Sequence, residues 1–382
     1  MQFNNFKKFF IFSIIGCVTL MPILIAPALV GVLVDHGQFS ESYDGWVIAS
    51  GSSGVAVLLM FISLRIHKLN LKKLAGLSLG VVVIIDIYSS FSANPDLYFL
   101  VTRFLAGIAM GAANIVVYTS FATMPNYERG YGLFVLMQFV VSGLGLYFLI
   151  IYSQNIGVQG MYLSLATLDL VALFLIRYLP DRSTTREVDG SSHTEMKVLL
   201  SLVTLFAVVG FGLFEASGFA QFTYIERVGM AIPLSGLTVG NIMLVSSLIG
   251  IPGSLVIILI GTRFGLIPPL LFGMLCSLVG MGILLITKTY TSYLISACLL
   301  GFGWALCLPY IQTLLAKLDK KGSALAAGNS FATIGAALGP AFAAMVVGNS
   351  NYDRVFALSI TLLLFAGASL LISIIRMQIN AK

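Results

Sequence analysis

Pro180-Asp-Arg-Ser-Thr-Thr-Arg-Glu-Val-Asp-Gly-Ser-Ser-His-Thr-Glu-Met-Lys197 is the longest polar run in a chain that is otherwise apolar almost throughout. Its mixed charges and its Ser, Thr and Gly residues have the composition of a linker. It falls near the middle of the 382 residues. On each side lie six apolar runs, each matching the roughly 20 residues that a helix needs to cross a bilayer. Spans are expected near 9–34, 45–66, 73–92, 97–120, 130–152 and 159–178, then near 198–224, 235–260, 266–287, 290–315, 324–348 and 354–376. The fold class that follows is an all-α membrane protein, with twelve transmembrane helices arranged as two pseudo-symmetric six-helix bundles. The N-terminal bundle occupies 1–179, the cytoplasmic linker 180–197 and the C-terminal bundle 198–382.

Composition agrees. Hydrophobic residues make up 58% of the chain and charged ones only 9%, against roughly 25% charged in a soluble domain. Mean hydropathy is +1.00, which a soluble surface cannot accommodate, so the bilayer is the solvent. The net charge of +6 does not point to nucleic acid, because the basic residues sit in loops between apolar runs. One set of loops holds Lys7, Lys8, Arg65, Lys68, Lys72, Lys73, Arg129, Arg177, Arg182, Arg186, Lys197, Arg263, Lys317, Lys320, Lys321, Arg376 and Lys382. The other set holds Arg227, Lys288 and Arg354, and Arg103 lies inside a span. Basic residues concentrate on the cytoplasmic side. An even number of spans with this bias places both termini in the cytoplasm, in a multi-pass protein of the bacterial inner (plasma) membrane.

Lys7 and Lys8 before an apolar run resemble a signal peptide, and Ile14-Ile15-Gly16-Cys17 resembles a lipoprotein cleavage box. The apolar run continues to Val34, well past a signal core, so it reads as a retained first span. Cys17, Cys276, Cys298 and Cys307 lie singly in apolar stretches, without a C-x-x-C. They form neither a disulfide framework nor a zinc site. His36, His67 and His193 are too scattered for a metal cluster. No metal or cofactor is implied.

The halves echo each other. An offset of 194 residues carries Leu105-Ala106-Gly107 onto Leu299-Leu300-Gly301, Thr119 onto Thr313 and Gly145 onto Gly339. Each match alone is weak, because small residues are common in membrane helices. Their agreement on one offset suits two parallel repeats around a midplane site.

Arg103-Phe-Leu-Ala-Gly107-Ile-Ala-Met-Gly111-Ala-Ala113 resembles the helix-four motif of the major facilitator superfamily, with Ala106 where a Gln is usual. Phe39-Ser40-Glu41 through Gly45-Trp46 is similar to the polar start of that family's second helix. Arg65, Lys68, Lys72 and Lys73 keep the basic character of its loop-two motif without the Asp, and Gly261 to Gly265 resembles the counterpart in the second half. Ser142-Gly143-Leu144-Gly145 hints at the helix-five antiporter motif, and Gly335-Ala-Ala-Leu-Gly339-Pro340 resembles it in the mirrored position. The resemblance covers nearly the whole chain. It implies a secondary transporter working by alternating access, in which helices one, four, seven and ten line the central cavity.

Ionisable groups inside a bilayer are costly and usually functional. Asp86, Arg103, Asp169 and Glu215 stand out. Asp86 and Arg103 flank a short turn at Asn94-Pro95 and should lie at similar depth, either as a packing ion pair or as a cavity-facing functional pair. Arg103, Gly107, Gly111, Asn114 and Tyr118 follow helical spacing and are expected on one face. That face either lines a cavity or allows close helix packing. Glu215 lies in Gly210-Phe-Gly212-Leu-Phe-Glu215-Ala-Ser217-Gly218-Phe219-Ala-Gln221-Phe-Thr-Tyr224 with no basic residue nearby. Removal from water penalises the charged carboxylate, so Glu215 is the leading candidate for proton coupling. Asp169 and Asp86 are further candidates. Arg103, Asn114, Tyr118, Phe219, Gln221, Trp304 and Tyr310 are the candidate substrate contacts. Pro22 and Pro27 are expected to kink the first span.

The expected function is movement of a small organic molecule coupled to protons, by a non-enzymatic monomer in the lipid bilayer, with efflux favoured. The alternative is a proton-coupled uptake symporter for an organic anion or amino-acid-like solute. A channel lacks support because no pore-loop or charged-ring signature occurs. An enzyme lacks a nucleophile or metal set, with Asp35 and His36 the nearest approach. No Gly-rich phosphate loop followed by Lys is present.

Overall fold

The computed structural model describes residues 2–62, 66, 69–124, 127–181, 201–319 and 323–380. Among them every regular element is a helix. The chain divides into two compact units, Met1–Val188 and Asp189–Lys382. All but the first two residues of the expected linker at 180–197 lie outside the described residues, as do Arg65 and Lys68 of the basic loop.

The first unit holds α1 (Gln2–Thr19), α2 (Met21–Leu24), α3 (Ala26–Gly37), α4 (Glu41–Ile62), α5 (Leu71–Ser92), α6 (Leu97–Ala122) and α7 (Tyr127–Leu175), closed by a 3₁₀ turn at Ile176–Tyr178. The second holds α8 (Leu202–Ala231), α9 (Gly236–Ile260), α10 (Ile267–Ile286), α11 (Tyr290–Leu318), α12 (Ser323–Val347) and α13 (Tyr352–Asn380). Ten helices among the described residues are long and apolar enough to cross a membrane. Two local features separate this from the twelve expected spans.

The first is the opening span, which is three pieces instead of one kinked helix. Pro22 and Pro27 have no N–H to donate, so the helical ladder fails around Leu20 and Ile25. The carbonyl freed at Leu24 accepts a hydrogen bond from Ser142 Oγ at 2.7 Å. Such repair is what allows a broken helix at membrane depth. The second is α7, where the spans expected at 130–152 and 159–178 run on as one assigned helix. Gly157 interrupts it at φ 55° and ψ −165°, a conformation open to glycine alone.

Helix starts follow their sequences. Asn70, Asp96, Ser201 and Ser235 each accept a backbone N–H from the first turn of the helix they precede. Thr289 and Ser292 form a reciprocal capping box. Large apolar side chains point outward, with Ile286 84% and Phe174 75% exposed. In water that would be untenable, and in lipid it is the expected surface.

Both units use one pairing scheme. In the first, α4 packs on α6, the pieces α1 and α3 of the opening span on α7, and α5 on α7; in the second, α9 packs on α11, the opening α8 on α12 and α13, and α10 on α13. Ser50 Oγ bonds the Leu100 carbonyl at 2.7 Å, tying α4 to α6. Ser246 Oγ bonds the Ala297 carbonyl at 2.6 Å, tying α9 to α11. Gly145 and Gly339 each press on the opening span of their unit, against Ile25 and the Ala216 carbonyl. With no hydrophobic force between helices in lipid, such backbone approaches and polar ties hold the bundle.

Gly107 shows the constraint most sharply, because an added Cβ would run into the Gly51 carbonyl on α4. Gly107→Ala should therefore destabilise the protein by about 1–3 kcal/mol through overpacking. A Cβ at Gly132 meets nothing within 4 Å, so Gly132→Ala should leave the melting temperature of the detergent-purified protein unchanged or slightly higher. Equal melting of wild type and Gly107→Ala would show that α4 and α6 are not in backbone contact.

Candidate functional site

Each unit buries a polar group that the apolar pattern does not require. In the first unit, Asp96 caps the start of α6 by accepting from Phe99 N at 2.8 Å. The short turn brings α5 and α6 back antiparallel, and Asp86 and Arg103 arrive level. Arg103 Nη1 donates to Asp86 Oδ1 at 2.8 Å. Arg103 Nη2 donates to the Ile85 carbonyl at 3.3 Å and to Ser89 Oγ. The guanidinium carbon lies 4.8 Å from the Tyr162 ring centroid and 5.6 Å from that of Phe99. Weakly hydrated and planar, Arg suits such stacking better than Lys would. Asp86 is fully buried and Arg103 nearly so.

Asp169, on α7, joins this pair, with its carboxyl group beside that of Asp86. Asp86 Oδ2, Asp169 Oδ1, Arg103 Nε and Tyr162 Oη have no hydrogen-bond partner. Arg103 and Tyr162 also line a cavity of about 40 Å³ with Pro22, Ile23, Gly51 and Ser52.

The expected polar face of α6 is divided. Gly107 and Gly111 face the backbone of α4 at Gly51 and Val55. Asn114 Nδ2 donates to Thr19 Oγ1 at 3.0 Å, and Thr19 Oγ1 in turn donates to the Gly16 carbonyl at 2.9 Å, just before the break in the opening span. Tyr118 is 41% exposed, with its ring edge on Phe134.

In the second unit, α8 carries Glu215, 5% exposed. Trp304 Nε1 on α11 donates to Glu215 Oε2 at 3.3 Å. No basic group among the described residues forms an ion pair with it. Gly218 makes room for the indole, since a Cβ there would lie 3.0 Å from Trp304 Cδ1. Ser217, two residues past Glu215, bonds the Ser359 carbonyl of α13 at 2.7 Å. Gln221 is buried one to two turns further on, and half-buried Phe219 meets Phe222 edge-on. Tyr310 lies apart from Glu215. Its hydroxyl donates to the Gly261 carbonyl at 2.9 Å, where α9 ends. It also lines an apolar pocket of about 290 Å³ with Phe264, Phe272 and Phe302.

Tyr162, Ser89 and Thr19 do not stand out in the sequence, and Ser142 does so only as part of the helix-five motif. The first two carry a signal, because Ser89 lies three residues after Asp86 and Tyr162 seven before Asp169, each on the face of its acid. Thr19 and Ser142 carry none until the break in the opening span is seen. Among the described residues no group of His, Cys, Asp and Glu could hold a metal ion.

Comparison with protein families matches residues 10–340 to the Major Facilitator Superfamily. A comparison with curated protein sequences finds no match. Among solved structures, a variant of the nucleoside transporter NupG shares 12% identity at a TM-score of 0.74, covering 96% of this chain and 99% of that one. NupG itself shares 13% identity at a TM-score of 0.69, covering 99% of each chain. The human organic anion transporter MFSD10 shares 15% identity at a TM-score of 0.65, covering 95% of this chain and 98% of that one. At such identities the likeness is one of fold.

Removing one partner of the buried pair strands the other. Arg103→Met should cost about 3–5 kcal/mol of stability, by leaving Asp86 without its cation. Arg103→Met combined with Asp86→Leu should recover much of that loss. Thermal melting of the single and double variants measures the coupling, and strictly additive losses would show that the pair does not interact energetically.

Proposed function

Because the chain belongs to the Major Facilitator Superfamily, we propose that it is a proton-coupled secondary transporter of a small organic solute, working by alternating access, with Glu215 as the coupling carboxyl. One observation carries the coupling: a carboxyl buried in an apolar helix with a Trp indole as its donor and, among the described residues, no cation paired with it. An isolated buried charge is expensive, whereas the protonated acid is neutral and still hydrogen-bonded. Proton uptake and release at Glu215 therefore switch the group between a state that tolerates burial and one that needs water. A conformational cycle offering water in one state and not in the other would couple that switch to solute movement.

The nucleoside and organic anion carried by the structural neighbours set the first solutes to try. Trp304, Phe219 and Gln221 offer this unit an aromatic surface and an amide, which suits a solute with an apolar ring and a few hydrogen-bonding groups. Efflux is the favoured direction. A second reading, uptake of an organic anion, draws on Arg103, whose guanidinium reaches the small cavity of the first unit.

Twelve spans in two six-helix units are proposed by counting the broken opening helix as one span and α7 as two, divided at Gly157. That count, with the basic loops, supports a topology in which both termini face the cytoplasm, in a bacterial inner membrane. A fluorescent protein fused after Lys382 should then fluoresce, and alkaline phosphatase fused at Lys288 should be active. The reverse pattern would invert the topology.

The test of function is a melting screen of nucleosides and organic anions on purified protein at pH 6 and pH 8, since a ligand of the native state raises the melting temperature with its concentration over Kd. The account expects at least one stabilising solute whose apparent affinity changes with pH in wild type and not in Glu215→Gln. The same pH dependence in both proteins would remove Glu215 from coupling. In proteoliposomes, transport would appear as saturable flux, a channel as non-saturating current and an enzyme as a covalently altered solute.

A further inference from the structure

We infer that Asp86 and Asp169 share a single exchangeable proton, which gives the N-terminal unit a proton-binding site of its own beside Arg103. Only the consequence for transport rests on the function proposed above; the chemistry of the site does not.

Two carboxyl groups and one guanidinium are buried together on α5, α6 and α7, with Asp86 0%, Asp169 3% and Arg103 6% exposed. Fully ionised, the three carry a net negative charge in a region with almost no exposed surface. With one proton bound they are neutral. Two carboxylates sharing one site resist ionising together, and a buried net charge is costly.

Hydrogen bonding says where that proton belongs. Arg103 directs its terminal nitrogens at Asp86 Oδ1, the Ile85 carbonyl and Ser89, and no hydrogen bond joins it to Asp169. Asp86 Oδ2 and Asp169 Oδ1 are each left without a donor, although the two carboxyl groups are in contact. Ionised carboxylates only accept, so two of them in contact repel. A proton between them supplies the missing donor to both.

No other group facing the site can substitute. From α4, Asp44 and Tyr43 act on Tyr162; α5 supplies Asp86, α6 Arg103, and α7 Tyr162 and Asp169. No Lys or His faces it among the described residues. On the side of α2 and α3 the neighbours are apolar, Pro22, Ile23 and Leu29. The cavity lined by Arg103 and Tyr162, about 40 Å³, has room for about one water of roughly 30 Å³ beside the guanidinium.

Loss of the proton has a mechanical reading. Asp169 lies on the part of α7 that follows the Gly157 break. Protonated, the dyad ties that part to α5; deprotonated, it pushes the two apart. The site is thus a latch within one unit, set by proton occupancy and independent of Glu215.

Infrared titration of the full chain in lipid nanodiscs tests this directly, reading the C=O stretch of protonated carboxylic acids between about pH 5 and pH 9. In Glu215→Gln a titrating carboxylic-acid band that depends on Asp169 should remain, over any contribution from the other buried carboxyl groups, Glu41, Asp44 and Glu226, which the Asp169 variants leave unchanged. Adding Asp169→Asn should abolish that band while preserving the fold, because the Asn amide can donate to Asp86 as the shared proton does. Asp169→Glu, which keeps a carboxyl on a longer arm, should move the midpoint of that band and covers the case in which the Asn variant does not fold. A titration unchanged by both Asp169 variants, or no titrating band in Glu215→Gln, would overturn the proposal. If wild type and Glu215→Gln give identical titrations and Asp169→Asn removes that band, the dyad stands and the coupling role of Glu215 falls.

Discussion

A bilayer interior offers no water, and every polar choice in this chain answers to that. A backbone carbonyl released by a proline must find a donor inside the protein, and a buried carboxylate must find a cation or take up a proton. The break in the opening span is closed by Ser142 on the Leu24 carbonyl. The Arg103 guanidinium is held by a carboxylate, a carbonyl, a hydroxyl and two aromatic faces. Glu215 has an indole and, among the described residues, no cation. These are three levels of satisfaction, from complete to conditional, and the conditional ones are where protons can act.

The same constraint shapes the packing. Apolar side chains gain nothing by leaving lipid for a helix interface, so the helices meet at glycines and serines. Gly107 on Gly51 and Gly335 on Gly212 bring backbones together in the two units. The serine ties from α4 to α6 and from α9 to α11 repeat the same device. Close contact at these points sets the depth of Arg103 on α6 and of Glu215 on α8.

Much of this is legible in the sequence. Apolar run length and the placement of Lys and Arg reveal a multi-pass helical protein, and counting residues either side of Pro95 brings Asp86 level with Arg103. Other features are hidden for physical reasons. Periodicity puts Tyr118 on the face of Arg103, yet fifteen residues at 3.6 per turn rotate it by about 60°, onto Phe134. The glycines between them serve α4 rather than open a cavity wall. Asp169 looks isolated because its partner is on α5, far away in sequence, and α7 runs through the expected loop until Gly157 breaks it. Pro22 and Pro27 announce a disturbance but do not say that the span falls into three pieces.

In the proposed function, solute and proton movement meet at one carboxyl, Glu215. The direct measurement is lumenal pH in proteoliposomes, with no starting pH gradient, on addition of a solute that stabilises the protein. The account predicts that solute movement changes lumenal pH with wild type, and that Glu215→Gln binds the solute without moving protons. Solute entry without any pH change in wild type, or an equal pH change with Glu215→Gln, would contradict it.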